Sequence, residues 1–189
     1  MLASTFTVDK KVNLLSETIY GSLNYDKHPR LIEIKRDKLL INGVEADDHV
    51  ATKRLQEIKV KPEIEAFDLG NMWFGAQLYK EGLLNDPPMF QMCLGIPWGA
   101  PATTSAMQAM KDVMPKEGIW SGFAISKNEM PFVAQTVVMG GNPRVGLEDN
   151  LYLSKGKLAT NAQLVEKAIR IVNDLGVSTM TPAETREKL

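Results

Sequence analysis

The chain is poor in cysteine and histidine: its 189 residues include one cysteine, Cys93, and two histidines, His28 and His49. A single cysteine excludes an internal disulfide and fits a reducing compartment, so we expect a cytoplasmic protein. Cys93 lies in an apolar run typical of a strand. We interpret it as core packing rather than as a reactive thiol.

Other absences exclude several kinds of protein. No apolar run has the length of a membrane span, and the first residues lack the pattern of a signal peptide. The 22 basic and 23 acidic residues nearly cancel, so charge gives no argument for nucleic acid or an anionic membrane as a partner. The sequence contains neither a glycine-rich dinucleotide fingerprint nor a Walker-type phosphate loop.

What is present is an alternation of strand and helix patterns. Strands are predicted at residues 61–68, 89–94, 118–125 and 144–148, with a possible first strand at 12–20, and helices at 50–58, 70–83, 105–114, 131–139 and 162–175. This order predicts a parallel α/β architecture of about five βα units. We divide the chain into 1–59, a lead with the possible first strand, a hairpin-like loop and a helix, and 60–189, which carries the regular units.

Two features allow more than one interpretation. Residues 26–43 contain two short apolar runs that can pair as a hairpin, but their charge favours a solvated loop, and we expect the loop. Trp73 and Trp98 can each bind a cation through the face of the indole ring, but we interpret both as packing residues.

The most informative stretch is residues 140–152, with the sequence GGNPRVGLEDNLY. Its first four residues can end a helix and turn the chain, and the next five can form a short strand. Alternation along that strand places Arg144 and Glu148 on one side, ~13 Å apart. Asp149 follows at the strand end, where α/β enzymes place their chemistry. A purely structural alternative is an Arg–Glu pair that closes the strand, with Asp149 capping a turn.

Residues 140–149 closely resemble the signature of the β-keto acid cleavage enzymes, whose type member is the 3-keto-5-aminohexanoate cleavage enzyme. Similar segments are residues 62–70 (PEIEAFDLG), 128–131 (NEMP) and 151–165 (LYLSKGKLATNAQLV). The resemblance extends from about Val60 to the C-terminus and is faint before it. It implies a (β/α)8 TIM barrel, a fold that takes ~250 residues, so we expect the C-terminal part of such a barrel with about the last five βα units.

The resemblance also implies a reaction. Members of the family bind one divalent metal, usually zinc, and condense a β-keto acid with acetyl-CoA to give acetoacetate and an acyl-CoA. By resemblance, Glu148 is a metal ligand, Asp149 is the acid–base carboxylate, and Arg144 partners that aspartate and keeps it charged. Glu65 resembles a glutamate that lines the substrate pocket, and Glu63 is the competing choice.

The family's other metal ligands are two histidines in a His-x-His motif, which this chain lacks. His28 falls in a predicted loop and His49 at a predicted helix start, and we expect both at the surface. A catalytic zinc site normally has three protein ligands, so we expect weak zinc binding or none in this chain alone.

Two functions are compatible with this sequence. The first is a zinc-dependent β-keto acid cleavage enzyme, present as a partial chain, with a β-keto acid and acetyl-CoA as substrates. The alternative is a non-catalytic barrel fragment that assembles with another chain. Because open sheet edges invite association, we expect a homo-oligomer or a complementing N-terminal chain as partner. A phosphate site at residues 126–128 is a third interpretation, which only one lysine supports.

Overall fold

The computed structural model describes residues 48–189 and, before them, the backbone of four short strands at Ala3–Ser4, Ile32–Lys35, Lys38–Ile41 and Val44–Ala46. Side chains are described from Thr52 onward. The possible first strand at residues 12–20 and the predicted loop around His28 lie outside the described residues.

Strands and helices alternate along residues 48–143. In chain order, the described strands and α-helices are β1 (Ala3–Ser4), β2 (Ile32–Lys35), β3 (Lys38–Ile41), β4 (Val44–Ala46), α1 (Asp48–Glu57), β5 (Glu63–Ala66), α2 (Leu69–Lys80), β6 (Met89–Leu94), α3 (Thr104–Val113), β7 (Ile119–Ala124), α4 (Glu129–Val138), β8 (Asn142–Pro143), β9 (Tyr152–Ser154), β10 (Lys157–Leu158), α5 (Asn161–Asp174) and α6 (Pro182–Lys188). The predicted helices and the first three of the four main predicted strands are found within a few residues of their expected limits.

The central sheet has the strand order β1–β5–β6–β7–β8. Within the described residues, β5 to β8 run parallel, and β1 pairs antiparallel with β5. Strands β6 and β7 pair along their whole length, from Met89 opposite Ile119 to Leu94 opposite Ala124. Parallel strands joined by helices form the α/β architecture that the sequence predicts, and the arrangement is consistent with part of a TIM barrel.

Threonine and aspartate side chains explain where several helices begin. Thr103, Thr160 and Thr181 each accept a hydrogen bond from a backbone N–H in the first turn of α3, α5 and α6. Asp68 does the same for α2. These side chains satisfy N–H groups that the start of a helix leaves unpaired, and the sequence could therefore predict the helix limits.

The sheet has one apolar face and one polar face. Ile64 of β5 and Phe90 of β6 are buried in a core shared with residues of α2, α3 and α4. The alternate positions face the other way, and the parallel register sets Glu65, Gln91 and Ser121 in one row across β5, β6 and β7. The sheet therefore separates the hydrophobic core from a row of polar side chains.

Three packing predictions have different outcomes. Cys93 is buried, and burial raises the pKa of its thiol to about 12, which confirms the packing interpretation. Trp73 is 70% exposed and Trp98 is fully exposed. The packing interpretation of both tryptophans is wrong, because neither indole ring lies inside the core.

The expectation of a solvated loop within residues 26–43 is also wrong. Strand β2 pairs antiparallel with β3, and β3 pairs with β4. The sequence of β2 alternates isoleucine with a charged residue, and this period of two favours a strand even where charge is high. Among the described helices, none combines the length and the apolar character needed to cross a membrane.

Candidate functional site

The signature at residues 140–149 begins where α4 ends. Gly140 has a φ of +83° and donates its N–H to the carbonyl of Val137. A Cβ atom on Gly141 would lie 2.5 Å from the ring of Trp120. Gly140 therefore supplies the left-handed turn that ends the helix, and Gly141 allows the chain to pass directly against β7.

The strand after this turn is shorter than the sequence predicts. The N–H of Arg144 still donates to a carbonyl of β7, but the chain then turns, and the N–H of Asp149 donates to the carbonyl of Gly146. The prediction of a strand at residues 144–148 is therefore wrong. The Arg144 side chain nevertheless reaches Glu148, with Nη2 2.6 Å from the Glu148 carboxylate.

The guanidinium group of Arg144 lies at the centre of a polar cluster. Its Nε and Nη2 atoms donate to the two carboxylate oxygens of Asp149 at 3.0 and 3.1 Å. Nη2 also donates to Glu148, and Nη1 donates to the side-chain oxygen of Gln91, each at 2.6 Å. Nη1 lies 3.8 Å from the carboxylate of Glu65. Arg144 thus contacts the other three residues that the sequence predicts for the site.

Part of this cluster is shielded from water. The ring of Phe123 lies under the guanidinium group, with its centroid 4.2 Å from Cζ of Arg144. The side chain of Asp149 is 6% exposed and that of Arg144 is 22% exposed, whereas Glu148 is 78% exposed. The two-bond fork between Arg144 and Asp149 is therefore held in one orientation, while the Glu148 carboxylate faces solvent.

Burial controls the titration of the site carboxyl groups. It raises the pKa of Asp149 from 3.8 to about 6, although the charge and hydrogen bonds of Arg144 act in the opposite direction. Burial likewise raises the pKa of Glu65, where Arg144 again opposes the shift. The expectation that Arg144 keeps the aspartate charged is met only in part, because desolvation outweighs the attraction of the guanidinium group.

Two polar residues of this face were not predicted from the sequence. Gln91 is 5% exposed; it donates to one carboxylate oxygen of Glu63 at 3.3 Å and accepts from Arg144. The hydroxyl of Ser121 donates to the other oxygen of Glu63 at 3.3 Å. Burial raises the pKa of Glu63, and the bond from Ser121 opposes this. The available signal was a glutamine inside the apolar run 89–94, since a buried amide needs partners.

Glu129 was also missed as a site residue. It is the first residue of α4 and is fully buried. Its carboxylate accepts a hydrogen bond from the N–H of Gly146 at 2.8 Å and one from the side-chain amide of Asn150 at 3.0 Å. The resemblance at residues 128–131 was the available signal.

The described side chains do not form a metal centre. From Thr52 onward, no group of three or more histidine, cysteine, aspartate or glutamate side chains has a geometry that could hold a metal ion. The predicted ligand Glu148 instead pairs with Arg144. His49 lies in the first turn of α1, as expected. This set of donors does not fit a catalytic zinc ion, which normally takes three protein ligands.

Three curated relatives are similar to the chain. A 3-dehydrocarnitine:acetyl-CoA trimethylamine transferase of Rhizobium meliloti (strain 1021) is 50% identical over 137 residues, which are 72% of this chain and 46% of the relative. A 3-keto-5-aminohexanoate cleavage enzyme of Fusobacterium nucleatum is 37% identical over 138 residues, 72% of this chain and 50% of the relative. A 3,5-dioxohexanoate:acetyl-CoA acetone transferase of Paraburkholderia graminis is 29% identical over 175 residues, which are 90% of this chain and 56% of the relative. The chain spans about half the length of these relatives.

A family model described as beta-keto acid cleavage enzyme matches residues 11–189. This match reaches further towards the N-terminus than the resemblance in the sequence, which begins at about Val60. It covers nearly the whole chain, and it includes the turn that carries Arg144, Glu148 and Asp149. The chain therefore belongs to the β-keto acid cleavage enzyme family, as the signature at residues 140–149 predicts.

Proposed function

We propose that this chain forms part of an enzyme that exchanges acyl groups between a β-keto acid and acetyl-CoA. The acyl group of the keto acid moves to CoA, and the acetyl group replaces it on the released acetoacetate, so the reaction balances without an acyl-enzyme. The fork between Arg144 and Asp149 carries the proposal, because it holds a shielded carboxylate within the family signature.

In this proposal Asp149 is the acid–base group. It removes a proton from the carbon between the keto and carboxylate groups of the β-keto acid, and the carbanion attacks the acetyl thioester and releases the CoA thiolate. The thiolate then takes the acyl group, and Asp149 returns the proton to the carbanion of acetoacetate that leaves. A pKa of about 6 leaves Asp149 mainly ionised at neutral pH, yet close enough to that pH to take up and return a proton. Arg144 orients the carboxylate through two hydrogen bonds and contributes positive charge beside the reacting anion.

We further propose that the polar face of the sheet lines the substrate pocket. Glu65 is the proposed substrate-binding residue, and its side chain is 14% exposed. Glu63 remains the competing choice, since it shares this face, but its carboxylate is already engaged by Gln91 and Ser121. The substrate class is a β-keto acid, and the relatives' names suggest 3-dehydrocarnitine and 3-keto-5-aminohexanoate as the first compounds to assay.

Zinc is proposed as the metal, with Glu148 as one ligand. Its carboxylate is 78% exposed, so it can exchange its contact with Arg144 for another partner. Since the described side chains do not complete a metal centre, the other ligands would come from outside them. None of the steps assigned to Asp149 and Arg144 depends on the metal.

An alternative role is that of a non-catalytic part of a TIM barrel, completed by another copy or by a complementing N-terminal chain in the cytoplasm. The observation that favours it is the coverage of about half of each relative's length. Under this alternative the site on this chain performs no chemistry until the partner is bound.

The test is release of acetoacetate from acetyl-CoA and each of the two β-keto acids, with wild type and with Asp149→Asn. We expect the variant to lose turnover almost completely and to keep its melting temperature within a few degrees, because the amide keeps the shape but cannot act as a base. Asp174→Asn, at an exposed position of α5, is the matched control and should leave the rate unchanged. Wild-type rates from Asp149→Asn would remove this residue from the mechanism.

A further inference from the structure

Glu129 lies behind the turn that carries the predicted site residues. We propose that Glu129 is a positioning residue, which holds Glu148 and Asp149 in a reactive geometry by binding Gly146 and Asn150 on either side of them. The inference rests on the proposed function for its effect on rate. The structural part of the inference concerns the turn alone and can be tested without turnover.

The turn depends on contacts outside the sheet. After Arg144 it leaves β7, and three groups then hold its backbone. Glu129 accepts from the N–H of Gly146, Asn161 accepts from the N–H of Leu147 at 2.9 Å, and the carbonyl of Asp149 accepts from a backbone N–H at 2.6 Å. Of the two side-chain anchors, Asn161 is exposed, so Glu129 is the one that water cannot replace.

The hydrogen bonds of Asn150 require a hydrogen-bond acceptor at residue 129. The side-chain oxygen of Asn150 accepts from the N–H of Tyr152 at 3.0 Å, and its amide nitrogen donates to the carbonyl of Tyr152 at 2.7 Å. The amide therefore cannot be flipped without losing both bonds. Its nitrogen must point at residue 129, where only an acceptor is satisfied, and a carboxylate is an acceptor on both oxygens.

The burial of Glu129 is a second reason to assign its carboxylate a role in holding the turn. Glu129 is 0% exposed and Asn150 is 8% exposed. A buried carboxylate is costly unless it is hydrogen-bonded, and here two N–H donors and the N-terminal end of α4 stabilise it. A carboxylate in such a place is better explained by the turn it holds than by packing.

The first experiment uses Glu129→Gln. Its oxygen can still accept from Gly146, but its NH2 group then faces the NH2 group of Asn150. We expect kcat to fall on the order of 100-fold because the base is displaced, with a much smaller change in the KM for acetyl-CoA. Amide hydrogen exchange in residues 144–150 should become faster. Glu166→Gln, at an exposed position of α5, is the matched control and should change neither quantity.

The second experiment exchanges the hydrogen-bond donor and acceptor between residues 129 and 150. Asn150→Asp alone sets two carboxylates face to face and also loses the bond to the carbonyl of Tyr152, so it should be at least as damaging as Glu129→Gln. This single variant breaks the same contact from the other partner if Glu129→Gln does not fold. In Glu129→Gln with Asn150→Asp, the glutamine NH2 group can donate to the new carboxylate, so relative to Asn150→Asp alone we expect slower exchange and recovery of about tenfold in kcat.

The outcomes separate this inference from the proposed function. A folded Glu129→Gln variant with wild-type kcat and unchanged exchange at residues 144–150 overturns the inference. So does a double variant that is folded but has no higher kcat and no slower exchange than Asn150→Asp alone. If wild type releases no acetoacetate, the proposed function fails. Faster hydrogen exchange in Glu129→Gln would still support the structural role of Glu129 in holding the turn. Unchanged exchange would overturn that role.

Discussion

One guanidinium group contacts three carboxylates at this site, those of Asp149, Glu148 and Glu65. The charge of Arg144 acts to lower the pKa of Asp149 and of Glu65, but at both residues burial raises the pKa by more. Burial prevails at Asp149, whose pKa lies above its ordinary value. Because the folded state then binds the proton more tightly than the unfolded chain, protonation of Asp149 stabilises the fold, and this stabilisation is lost as pH rises through about 6.

The titration of Asp149 predicts the pH dependence of turnover. In its proposed role as a base Asp149 works only when ionised, so the rate should be low in acid and rise with pH to a plateau, with its midpoint near the pKa of about 6. The measurement is kcat/KM as a function of pH at constant ionic strength. A midpoint near the ordinary value of 3.8 would show that burial does not govern this group.

Replacement of Arg144 by lysine should be damaging although it keeps the charge. An ammonium group cannot bind both oxygens of Asp149 and reach Gln91 at the same time, so we expect kcat to fall more than about tenfold and the free energy of unfolding to fall by about 1–3 kcal/mol. Urea unfolding and steady-state kinetics measure the two effects. Arg186→Lys, on the exposed surface of α6, is the control. Retained activity in Arg144→Lys would give Arg144 a structural role only.

At the scale of elements, the helices and most strands follow from local patterns. The strand prediction at 89–94 agrees with β6 residue for residue, because an apolar run between a Pro-Pro pair and a glycine has clear limits. The strand predicted at 144–148 fails for a tertiary reason. Its backbone N–H groups find partners in the side chains of Glu129 and Asn161 instead of in a neighbouring strand.

The junction between α4 and β8 gives a prediction about two adjacent glycines. Gly141→Ala must displace the ring of Trp120, because its Cβ would lie 2.5 Å from that ring, so we expect a loss of about 2–4 kcal/mol in the free energy of unfolding. The Cβ of Gly140→Ala meets no atom within 4 Å, so only the positive φ lowers the free energy of unfolding, by about 1 kcal/mol. Chemical denaturation of both variants measures the difference, and equal losses would contradict the close approach.

At the scale of the whole molecule, the described chain provides a polar sheet face and a shielded carboxylate but no complete set of metal ligands. As an enzyme, the chain needs further zinc ligands from outside the described side chains. As a barrel fragment, it needs another chain to complete the barrel. Zinc content per chain, measured together with mass in solution, distinguishes an assembly that completes the site from a chain that binds no metal.

A prediction for Glu148 belongs to that assembly. In the state that binds zinc, Glu148→Gln should lower the zinc content, because a neutral amide is a much weaker ligand than a carboxylate. Glu166→Gln, another exposed glutamate, should leave the content unchanged. Equal zinc in wild type and Glu148→Gln would refute the ligand role and leave Glu148 as a partner of Arg144.

The sequence by itself determined the family, the order of the elements and the association of Arg144 with Glu148 and Asp149, because these depend on a contiguous signature and on local periodicity. The tertiary structure decided which distant residues join them. Gln91 reaches Arg144 through the register of parallel strands, and Glu129 reaches the turn through the packing of α4. It also decided the pKa of Asp149, since desolvation depends on everything that surrounds a carboxyl group and not on its neighbours in sequence.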